Sequence, residues 1–493
     1  MPKGVSAAPF PPVGLDRVSA VPIHRQIYEG LRRYILEGRL APGARLPSTR
    51  MLAEGMGVSR STVVSAFSGL LAEGYLEGKV GSGTYVSRSL PEDMLRVCAG
   101  RTGDSGHRRT RGLSRRGEVL ASTPATASRD RGGARAFRPG VSALDEFPFE
   151  EWSRLVSRRW RNPSRELLGY GDPAGYRPLR EAIADHLGAS RAVRCSPGQV
   201  IVVSGSQQAL DLTARVLVDP GDAAWVEDPG YVGARGALLG AGINVVSVPV
   251  DEEGLDVAAG EEKKPQARLA CVTPSHQYPL GVTMTLPRRL ELLRWADRSD
   301  AWIVEDDYDS EYRYSGRPLE ALQGLDGAGR VVYVGTFSKV LLPSIRLGYL
   351  VVPPDLVDAF VAARELTDRH SPSIEQAVMA DFIVEGHFAR HIRRMRTLYA
   401  ERQDALVEAA REELAGLLEV RPAEAGMHLL GRLPEGTDDR QASRLAAKQG
   451  VEVPPLSLHG IEASQRPGLL LGYAAVESRE IREGVRRLAA ALG

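Results

Sequence analysis

Apolar residues recur at helical spacing near the N-terminus, and this pattern predicts a small, mainly helical unit. In residues 23–35 they stand three or four positions apart, which indicates an amphipathic helix. Ser48 and Ser59 stand where two further helices would begin, because a serine oxygen can accept a hydrogen bond from the first amides of a helix. Two short apolar runs separated by glycines predict a β-hairpin over 75–86. Residues 21–88 are therefore predicted to form a winged helix-turn-helix.

The third helix of this unit is predicted to have an apolar side that faces the core and polar residues at its start that face outward. Its apolar positions are expected to face inward, and they are Val63, Val64, Phe67, Leu70 and Leu71. Its polar opening residues, Arg60, Ser61 and Thr62, remain available to solvent or DNA. In a helix-turn-helix the second helix of the motif enters the major groove with its N-terminal residues first. The start of this helix is therefore the predicted DNA-reading surface.

From residue 137 to residue 493, buried strands alternate with amphipathic helices. The candidate strands are Val200–Val203, Ala224–Val226, Leu269–Val272, Trp302–Val304, Val331–Val334 and Leu347–Val352. Nearly continuous apolar strands separated by helices are typical of a mainly parallel sheet with both faces covered. The chain is therefore predicted to be multidomain, with a mainly α winged helix-turn-helix followed by an α/β domain.

Two segments lack such periodicity. Residues 1–20 are rich in Pro, Gly and Ala and are predicted to be a flexible tail. Residues 89–136 are rich in Arg, Gly, Ser and Thr, which predicts a long linker between the two domains. The linker arginines could touch DNA phosphates, but a solvated tether is the simpler interpretation.

Composition narrows the class of protein without identifying a function. A chain of 493 residues suits two or three domains, and its net charge of +1 means that any nucleic-acid contact must come from a local patch. Its three cysteines lie far apart, so neither a disulfide framework nor a metal site is indicated. We find neither an apolar run of about 18 residues nor a signal-peptide pattern, and we expect a cytoplasmic protein.

The stretch TFSKVLLPSIR, residues 336–346, has the residue types that suit pyridoxal 5′-phosphate. The amine of Lys339 can condense with an aldehyde to form a Schiff base. The hydroxyls of Thr336 and Ser338, together with the guanidinium of Arg346, can hold a phosphate beside it. Because Lys339 follows the apolar run 331–334, a buried lysine with a chemical role is favoured over a solvated one.

Three further polar signals follow predicted strands. Ser206 and Gln207 open a helix after a tight turn, where free amides favour a phosphate. Tyr231 could stack on a pyridine ring, although a packing role is the more common one for a lone tyrosine. Asp306 ends a buried strand, where a carboxylate could pair with a pyridinium nitrogen. Each signal is weak alone, but all of them point to the same cofactor.

The N-terminal unit resembles the GntR-family DNA-binding domain. The likeness rests on RLPSTRMLAEGMGVSRSTVVSAFSGLLAEGYL followed by GSGTYV, and it covers almost all of residues 21–88. By that resemblance, double-stranded DNA is the partner. The expected contact residues lie near the second helix, at the recognition helix and at the wing, and they are Arg45, Ser48, Arg50, Ser59, Arg60, Ser61, Thr62, Lys79, Ser82 and Thr84. The alternative for Ser48 and Ser59 is that they only cap helices.

Residues 137–493 resemble fold-type I aminotransferases, on YGDPAGYRPLREAIADHL, SGSQQAL, EDPGY, VEDDYD and TFSK…SIR in family order. That resemblance implies a Schiff base at Lys339, a ring-nitrogen partner in Asp306 and a stacking ring in Tyr231. It assigns the phosphate to Ser206, Gln207, Thr336, Ser338 and Arg346 and the ring hydroxyl to Tyr308. It also implies a homodimer, because Tyr170 matches a tyrosine that family members supply to a neighbour's phosphate site.

The chain departs from these enzymes at two places. Tyr278, preceded by His276, stands where the family has an asparagine that bonds the ring hydroxyl, and GntR-fused regulators often show this pattern. Leu470 stands where aminotransferases that act on amino acids carry an arginine for the substrate carboxylate. Without that arginine the carboxylate loses a charge-assisted pair, which weakens the case for transamination.

A GntR-type helix-turn-helix joined by a long linker to an aminotransferase-like domain resembles the MocR-type regulators. Within that group, regulators of the PdxR kind respond to pyridoxal phosphate, whereas GabR-like ones respond to an amino compound. The absence of the late arginine favours the PdxR kind and vitamin B6 biosynthesis genes as targets. Sensing of an amine or amino acid is the second interpretation, and an active aminotransferase is the third.

Overall fold

The computed structural model describes residues 14–17, 19–79, 82–88, 90, 112–123, 136–314, 320–462 and 466–493. The chain divides into two compact units, residues 1–112 and 113–493. In these ranges we find no helix with the length and apolar character needed to cross a membrane.

The first unit is a three-helix bundle with a hairpin. Its elements are α1 (Ile23–Leu36), α2 (Thr49–Met56), α3 (Arg60–Ala72), β1 (Leu76–Lys79) and β2 (Gly83–Val86). Ser48 accepts a hydrogen bond from the amide of Met51 (3.3 Å) and Ser59 from that of Thr62 (3.2 Å), so both serines cap the helices that follow them. Gly57 ends α2 in a left-handed conformation that suits glycine.

The core of this unit lies between α1 and α3, where Val63, Phe67 and Leu70 are fully or almost fully buried. Val64 and Leu71, which we expected to face inward, are instead 42% and 40% exposed. Each follows a buried residue by one position, and one step along a helix turns a side chain by about 100°. The apolar stripe is therefore narrower than the composition of α3 suggests.

The second unit is an α/β domain with a smaller C-terminal sheet. Its helices are α4 (Arg115–Ser122), α5 (Phe149–Arg161), α6 (Arg165–Leu168), α7 (Arg177–Arg191), α8 (Ser206–Leu217), α9 (Val232–Ala241), α10 (Val257–Lys263), α11 (Leu286–Arg298), α12 (Leu322–Leu325), α13 (Val357–Asp368), α14 (Ser373–Val384), α15 (His387–Glu413), α16 (Asp439–Lys448) and α17 (Ser478–Leu492). Its strands are β3 (Val200–Val203), β4 (Ala223–Asp228), β5 (Asn244–Asp251), β6 (Gly254–Leu255), β7 (Leu269–Val272), β8 (Trp302–Asp307), β9 (Val331–Thr336), β10 (Gly348–Val351), β11 (Glu419–Val420), β12 (His428–Arg432) and β13 (Gly468–Gly472).

The large sheet has the order β3-β10-β9-β8-β7-β4-β5-β6, and the run from β9 to β5 is parallel. Strand β10 is antiparallel to both β3 and β9, so the sheet is mainly rather than wholly parallel. Alternate residues of β3 enter different cores, Val200 and Val202 on one face and Ile201 and Val203 on the other. Both faces of the sheet are therefore buried, as in a layered α/β fold.

Part of the segment that we expected to be a linker is ordered as a helix. Helix α4 begins after the capping residue Ser114 and packs against α9. The rest of that segment, apart from residues 90, 112–114, 123 and 136, lies outside the described residues, as do residues 1–13 and 18 of the predicted N-terminal tail.

Candidate cofactor pocket and DNA interface

A cavity of about 130 Å³ lies at the edge of the sheet where the parallel strands end. In an open α/β sheet, ligands bind in the crevice at the carboxyl ends of the strands. The lining residues are Pro139, Gly140, Ser206, Tyr231, Thr273, Tyr278, Asp306, Tyr308, Asp309, Lys339, Met427 and His428. Six of the twelve residues that we predicted to bind the cofactor are among them.

Lys339 follows β9, and its ammonium nitrogen reaches into the cavity. Its Nζ donates a hydrogen bond to the carbonyl oxygen of Gly140 (2.8 Å). Burial lowers the pKa of this amine, while the nearby carboxylates of Asp309 and Asp306 oppose the shift. A larger fraction of neutral amine makes Lys339 a better nucleophile than a solvated lysine.

Asp306 presents an unsatisfied carboxylate to the same cavity. Its side chain is buried, and among the described residues its Oδ1 atom has no hydrogen-bond partner. Burial raises its pKa to about 7, and the nearby carboxylates of Asp307 and Glu227 add to the shift. A buried acceptor without a donor is costly, so this position calls for a cationic or N–H group of a ligand.

The neighbours of Asp306 on β8 have internal partners. Side chains alternate along a strand, and Asp307 forms an ion pair with Arg191 (2.9 Å) and accepts a hydrogen bond from Tyr333 (2.7 Å). Glu305 accepts hydrogen bonds from the backbone amides of Leu322 (2.8 Å) and Gln323 (2.9 Å). The run Glu305–Asp307 therefore contains two structural carboxylates and one that faces the cavity.

Tyr231 forms a wall of the cavity at the start of α9. Its ring lies against Gly233, where a β-carbon would collide with the ring and would lie 2.5 Å from Oε1 of Gln207. Gln207 donates from Nε2 to the carbonyl of Gly233 (3.0 Å), while its buried Oε1 is unpartnered within the described part of the chain. Gln207 thus supports Tyr231 from behind rather than lining the cavity.

Two of the predicted phosphate ligands, Ser206 and Arg346, lie at the N-terminus of α8. Gly205 adopts φ 119° just before Ser206, and a β-carbon there would lie 3.5 Å from a guanidinium nitrogen of Arg346. The buried Oγ of Ser338 has no hydrogen-bond partner in the described ranges, and the hydroxyl of Thr336 accepts from the Ser338 amide (3.2 Å). A helix N-terminus, a hydroxyl and a guanidinium are groups that favour a bound anion.

His276 lies behind the cavity wall, next to Tyr308. Its Nδ1 is 3.0 Å from the hydroxyl of Tyr308 and 3.0 Å from Oδ2 of Asp309, and the ring is almost wholly buried. Tyr278 makes edge contacts with Tyr231 (6.0 Å between centroids) and with Tyr308 (6.0 Å). Burial holds the pKa of Tyr308 well above its usual range, so this phenol is a hydrogen-bond donor at neutral pH.

Sequence reasoning missed several lining residues. Gly140 acts through its backbone carbonyl, which no side-chain pattern signals. Asp309 was visible in the VEDDYD stretch, but its role in holding His276 depends on a contact across the fold. His428 comes from β12 of the smaller sheet, and burial lowers the pKa of its imidazole to about 3.

Leu470 is fully buried and pairs with Leu430 in that sheet.

Tyr170 does not join the other predicted cofactor residues in this chain. It is 82% exposed, and the guanidinium of Arg369 lies 4.6 Å from its ring centroid. The position is compatible with the expectation that Tyr170 serves a neighbouring subunit.

The predicted DNA-binding residues are grouped on the surface of the first unit. Arg60 is exposed at the start of α3 and has neither an ion pair nor a hydrogen-bond partner among the described residues. Ser59 bonds the hydroxyls of Ser61 (2.8 Å) and Thr62 (2.7 Å), which orders this turn. The opening turn of α3 is therefore a structured polar surface.

The other predicted DNA contacts have internal neighbours. Arg50 forms an exposed ion pair with Glu54 (3.3 Å) on α2, and Arg45 lies against Gly83 of the wing. At the wing, Ser82 bonds the hydroxyl of Tyr85 (2.7 Å). The remaining two positions are Lys79, 5.2 Å from the Tyr85 ring centroid, and Thr84, which is half-buried on β2.

Both units of the chain match known protein families. Residues 23–86 match the family described as bacterial regulatory proteins, gntR family, and residues 140–488 match aminotransferase class I and II. The probable rhizopine catabolism regulatory protein MocR of Rhizobium meliloti is 48% identical, covering 97% of this chain and 95% of its own length. The HTH-type pyridoxine biosynthesis transcriptional regulator PdxR of Corynebacterium glutamicum is 30% identical and covers 96% of both chains.

The crystal structure of LysN, an α-aminoadipate aminotransferase from Thermus thermophilus complexed with N-(5′-phosphopyridoxyl)-L-leucine, superposes with a TM-score of 0.70. It is 32% identical and covers 76% of this chain and 96% of its own. A domain of this fold implies pyridoxal phosphate binding, and a gntR-family helix-turn-helix implies DNA binding. This chain therefore belongs to the MocR-type transcription regulators, in which a GntR helix-turn-helix is joined to an aminotransferase-like domain.

Proposed function

We propose that occupancy of the pocket by pyridoxal phosphate, bound through Lys339, controls the binding of the helix-turn-helix to an operator. The observation that supports this proposal is that Oδ1 of Asp306 has no hydrogen-bond partner among the residues that the structure describes, although it is buried at the same cavity as the amine of Lys339. A pyridinium N–H would satisfy that oxygen, and a lysine with a lowered pKa suits capture of an aldehyde. The residues of the pocket thus fit this cofactor.

When bound, pyridoxal phosphate supplies an aldehyde that condenses with primary amines to form a Schiff base, together with a ring that withdraws electrons. Gly140 orients the Lys339 amine, and the Asp306 carboxylate would stabilise a positive charge at the ring nitrogen. Tyr231 would stack on the ring, and Tyr308, whose hydroxyl lies 3.0 Å from Nδ1 of His276, would form a hydrogen bond with the ring hydroxyl. Arg346, Ser338, Thr336 and the first amides of α8 hold the phosphate.

On the DNA side, we propose that Arg60 and the turn Ser59–Thr62 contact the major groove and that Arg45, Arg50 and the wing contact the backbone. The protein would act as a homodimer in which Tyr170 reaches the phosphate of the neighbouring subunit. The 82% exposure of Tyr170 supports this role.

Two candidate effectors are each favoured by one observation. Leu470 is buried and apolar where an amino-acid clamp would stand, which favours the cofactor itself as the signal and vitamin B6 biosynthesis genes as the targets. Against this, the relative named for rhizopine catabolism is 48% identical, compared with 30% for the relative named for pyridoxine biosynthesis. That difference favours an amine or amino acid that reacts with the bound cofactor. Retained aminotransferase activity is the third interpretation, and sustained turnover of an amino donor and a keto acceptor would reveal it.

The test is a titration of operator binding by purified full-length protein. We expect pyridoxal phosphate alone to change operator affinity if the cofactor is the signal. We expect a change only after addition of an amine to the loaded protein if an amine is the signal. Lys339→Ala serves as the control and should abolish either response without removing basal DNA binding. Wild-type operator affinity that stays the same with neither ligand, with cofactor alone and with cofactor plus amine would contradict regulation by this pocket.

A further inference from the structure

Helix α9 has one face made of glycine. Gly233, Gly236 and Gly240 are spaced by three and four positions, so they lie on the same side of the helix. Glycine within a helix is less stable than alanine because the backbone loses more entropy. A face without side chains lets other parts of the protein pack closely against the helix, and α9 has such a neighbour at each end.

At the C-terminal end of α9, the neighbour is the linker helix α4. A β-carbon on Gly240 would lie 2.9 Å from a methyl carbon of Leu120, and one on Gly236 would lie 3.3 Å from the methyl carbon of Thr123. The guanidinium of Arg116 donates a hydrogen bond to the carbonyl oxygen of Gly240. Leu120 and Arg116 are four positions apart, so both belong to the face of α4 that docks on α9.

At the N-terminal end of α9, the neighbour is the cofactor pocket. Tyr231 is the residue that precedes the helix, and its ring and Oε1 of Gln207 occupy the space where Gly233 lacks a side chain. A ring stacked on Tyr231 would restrict the movement of this tyrosine and of the first turn of α9. The two ends belong to one helix of ten residues, Val232–Ala241.

We propose that α4 is a latch, which the glycine face of α9 holds and which docks more firmly when pyridoxal phosphate occupies the pocket. The proposal rests on the function proposed above. Helix α4 lies in sequence between the helix-turn-helix unit and the rest of the aminotransferase-like domain, so its docking attaches Arg115–Ser122 to that domain. The cofactor then controls DNA binding by changing how the two attached helix-turn-helix units can reach an operator.

Hydrogen exchange of the full-length protein tests the latch directly. Amides of Glu118 and Thr123 are bonded to the carbonyls of Ser114 (2.9 Å) and Val119 (3.0 Å), and their exchange reports the order of α4. We expect pyridoxal phosphate to slow this exchange. Leu120→Asp should speed it and remove the effect of the cofactor, because the aspartate would lose the contact that the Leu120 side chain makes at Gly240 of α9.

Comparison of Arg116→Ala with Arg115→Ala distinguishes the effect of losing the contact with α9 from the effect of losing a positive charge. Both variants remove one linker cation, but only Arg116 contacts α9, and Arg115 has no partner among the residues that the structure describes. The ratio of operator affinities with and without cofactor is typically about 5- to 150-fold for coupled sites. We expect this ratio to fall toward one in Leu120→Asp and Arg116→Ala and to be unchanged in Arg115→Ala.

Three outcomes would overturn the latch. The first is hydrogen exchange of the α4 amides that does not change when the cofactor binds. The second is an unchanged effect of the cofactor on operator affinity in both Leu120→Asp and Arg116→Ala. The third is an equal loss of that effect in Arg115→Ala. Titration of the protein with cofactor, followed by absorbance, distinguishes failure of the latch proposal from failure of the proposed function. Wild-type protein that binds no cofactor removes both proposals, whereas normal cofactor binding with an unresponsive α4 removes only the latch.

Discussion

Asp306→Asn is expected to stabilise the cofactor-free protein and to weaken its hold on the cofactor. The two effects have one cause, because Asp306 is buried beside other carboxylates and its Oδ1 has no hydrogen-bond partner in the described part of the chain. Ionising this group inside the empty pocket is unfavourable, but a cationic ring nitrogen would reverse the balance. The asparagine removes the charge and keeps almost the same shape.

The magnitude follows from the pKa of Asp306, which rises from 3.8 to about 7 on folding. At about 1.4 kcal/mol per pKa unit, the ionised carboxylate costs about 4 kcal/mol of folding free energy above pH 7. The buried amide of asparagine retains about 1–3 kcal/mol of desolvation cost. We therefore expect a net gain of about 1–3 kcal/mol at pH 8.

The stability advantage of Asp306→Asn should depend on pH in a defined direction. Because the folded-state pKa is raised, the folded protein binds an extra proton between pH 3.8 and pH 7, and wild-type stability is lost as pH rises through this window. The advantage of Asp306→Asn should therefore shrink by about 1.4 kcal/mol per unit as the pH falls below 7. Above pH 7 it should be constant.

Denaturant unfolding of the cofactor-free full-length protein, at pH 5 and pH 8, measures the difference in stability of the aminotransferase-like domain between Asp306→Asn and wild type. Asp307→Asn is the matched control, since it breaks the buried ion pair with Arg191 and should destabilise by about 3–5 kcal/mol. Cofactor affinity of Asp306→Asn should fall about 10- to 100-fold, as expected for loss of a charged hydrogen bond. A variant that is no more stable than wild type at pH 8, or whose advantage is equal at both pH values, would refute the reasoning.

Three further outcomes are expected. Lys339→Ala should lose the absorbance band of covalently bound cofactor and, with it, any change of operator affinity on cofactor addition, as seen by spectrophotometry and gel shift. Arg346→Ala should weaken binding of pyridoxal phosphate about 10- to 100-fold but leave binding of pyridoxal, which lacks the phosphate, unchanged in a competition assay. Arg60→Ala should weaken operator binding by about 1–3 kcal/mol and relax its sequence specificity in gel shifts with wild-type and base-substituted operators, whereas Arg25→Ala, on α1 and paired with Glu29, should do neither.

The sequence was most informative where chemistry and strand periodicity coincide. The bounds Val200–Val203 and Leu269–Val272 agree with the observed strands, because a short apolar run between turn signals allows few registers. Lys339 and Asp306 follow or end such strands, and the ends of parallel strands meet at one edge. Their approach to a common cavity was therefore predictable. Gly140 and His428 were not, because their places depend on contacts with distant elements.

The predicted phosphate site shows why a sequence alone could not predict the position of Arg346, which depends on the order of strands in the sheet. Strand β9 ends at Thr336 and β10 begins at Gly348, and the connection between them lacks the long helical crossover that a parallel return requires. Strand β10 therefore runs back beside β9 and also pairs with β3, so that Gly348 lies opposite both Thr336 and Val203. Arg346, two residues before Gly348, is thereby brought beside Gly205 at the start of α8. The short connection was visible in the sequence, but the insertion of β10 between β3 and β9 was not, since it depends on the packing of strands far apart in the chain.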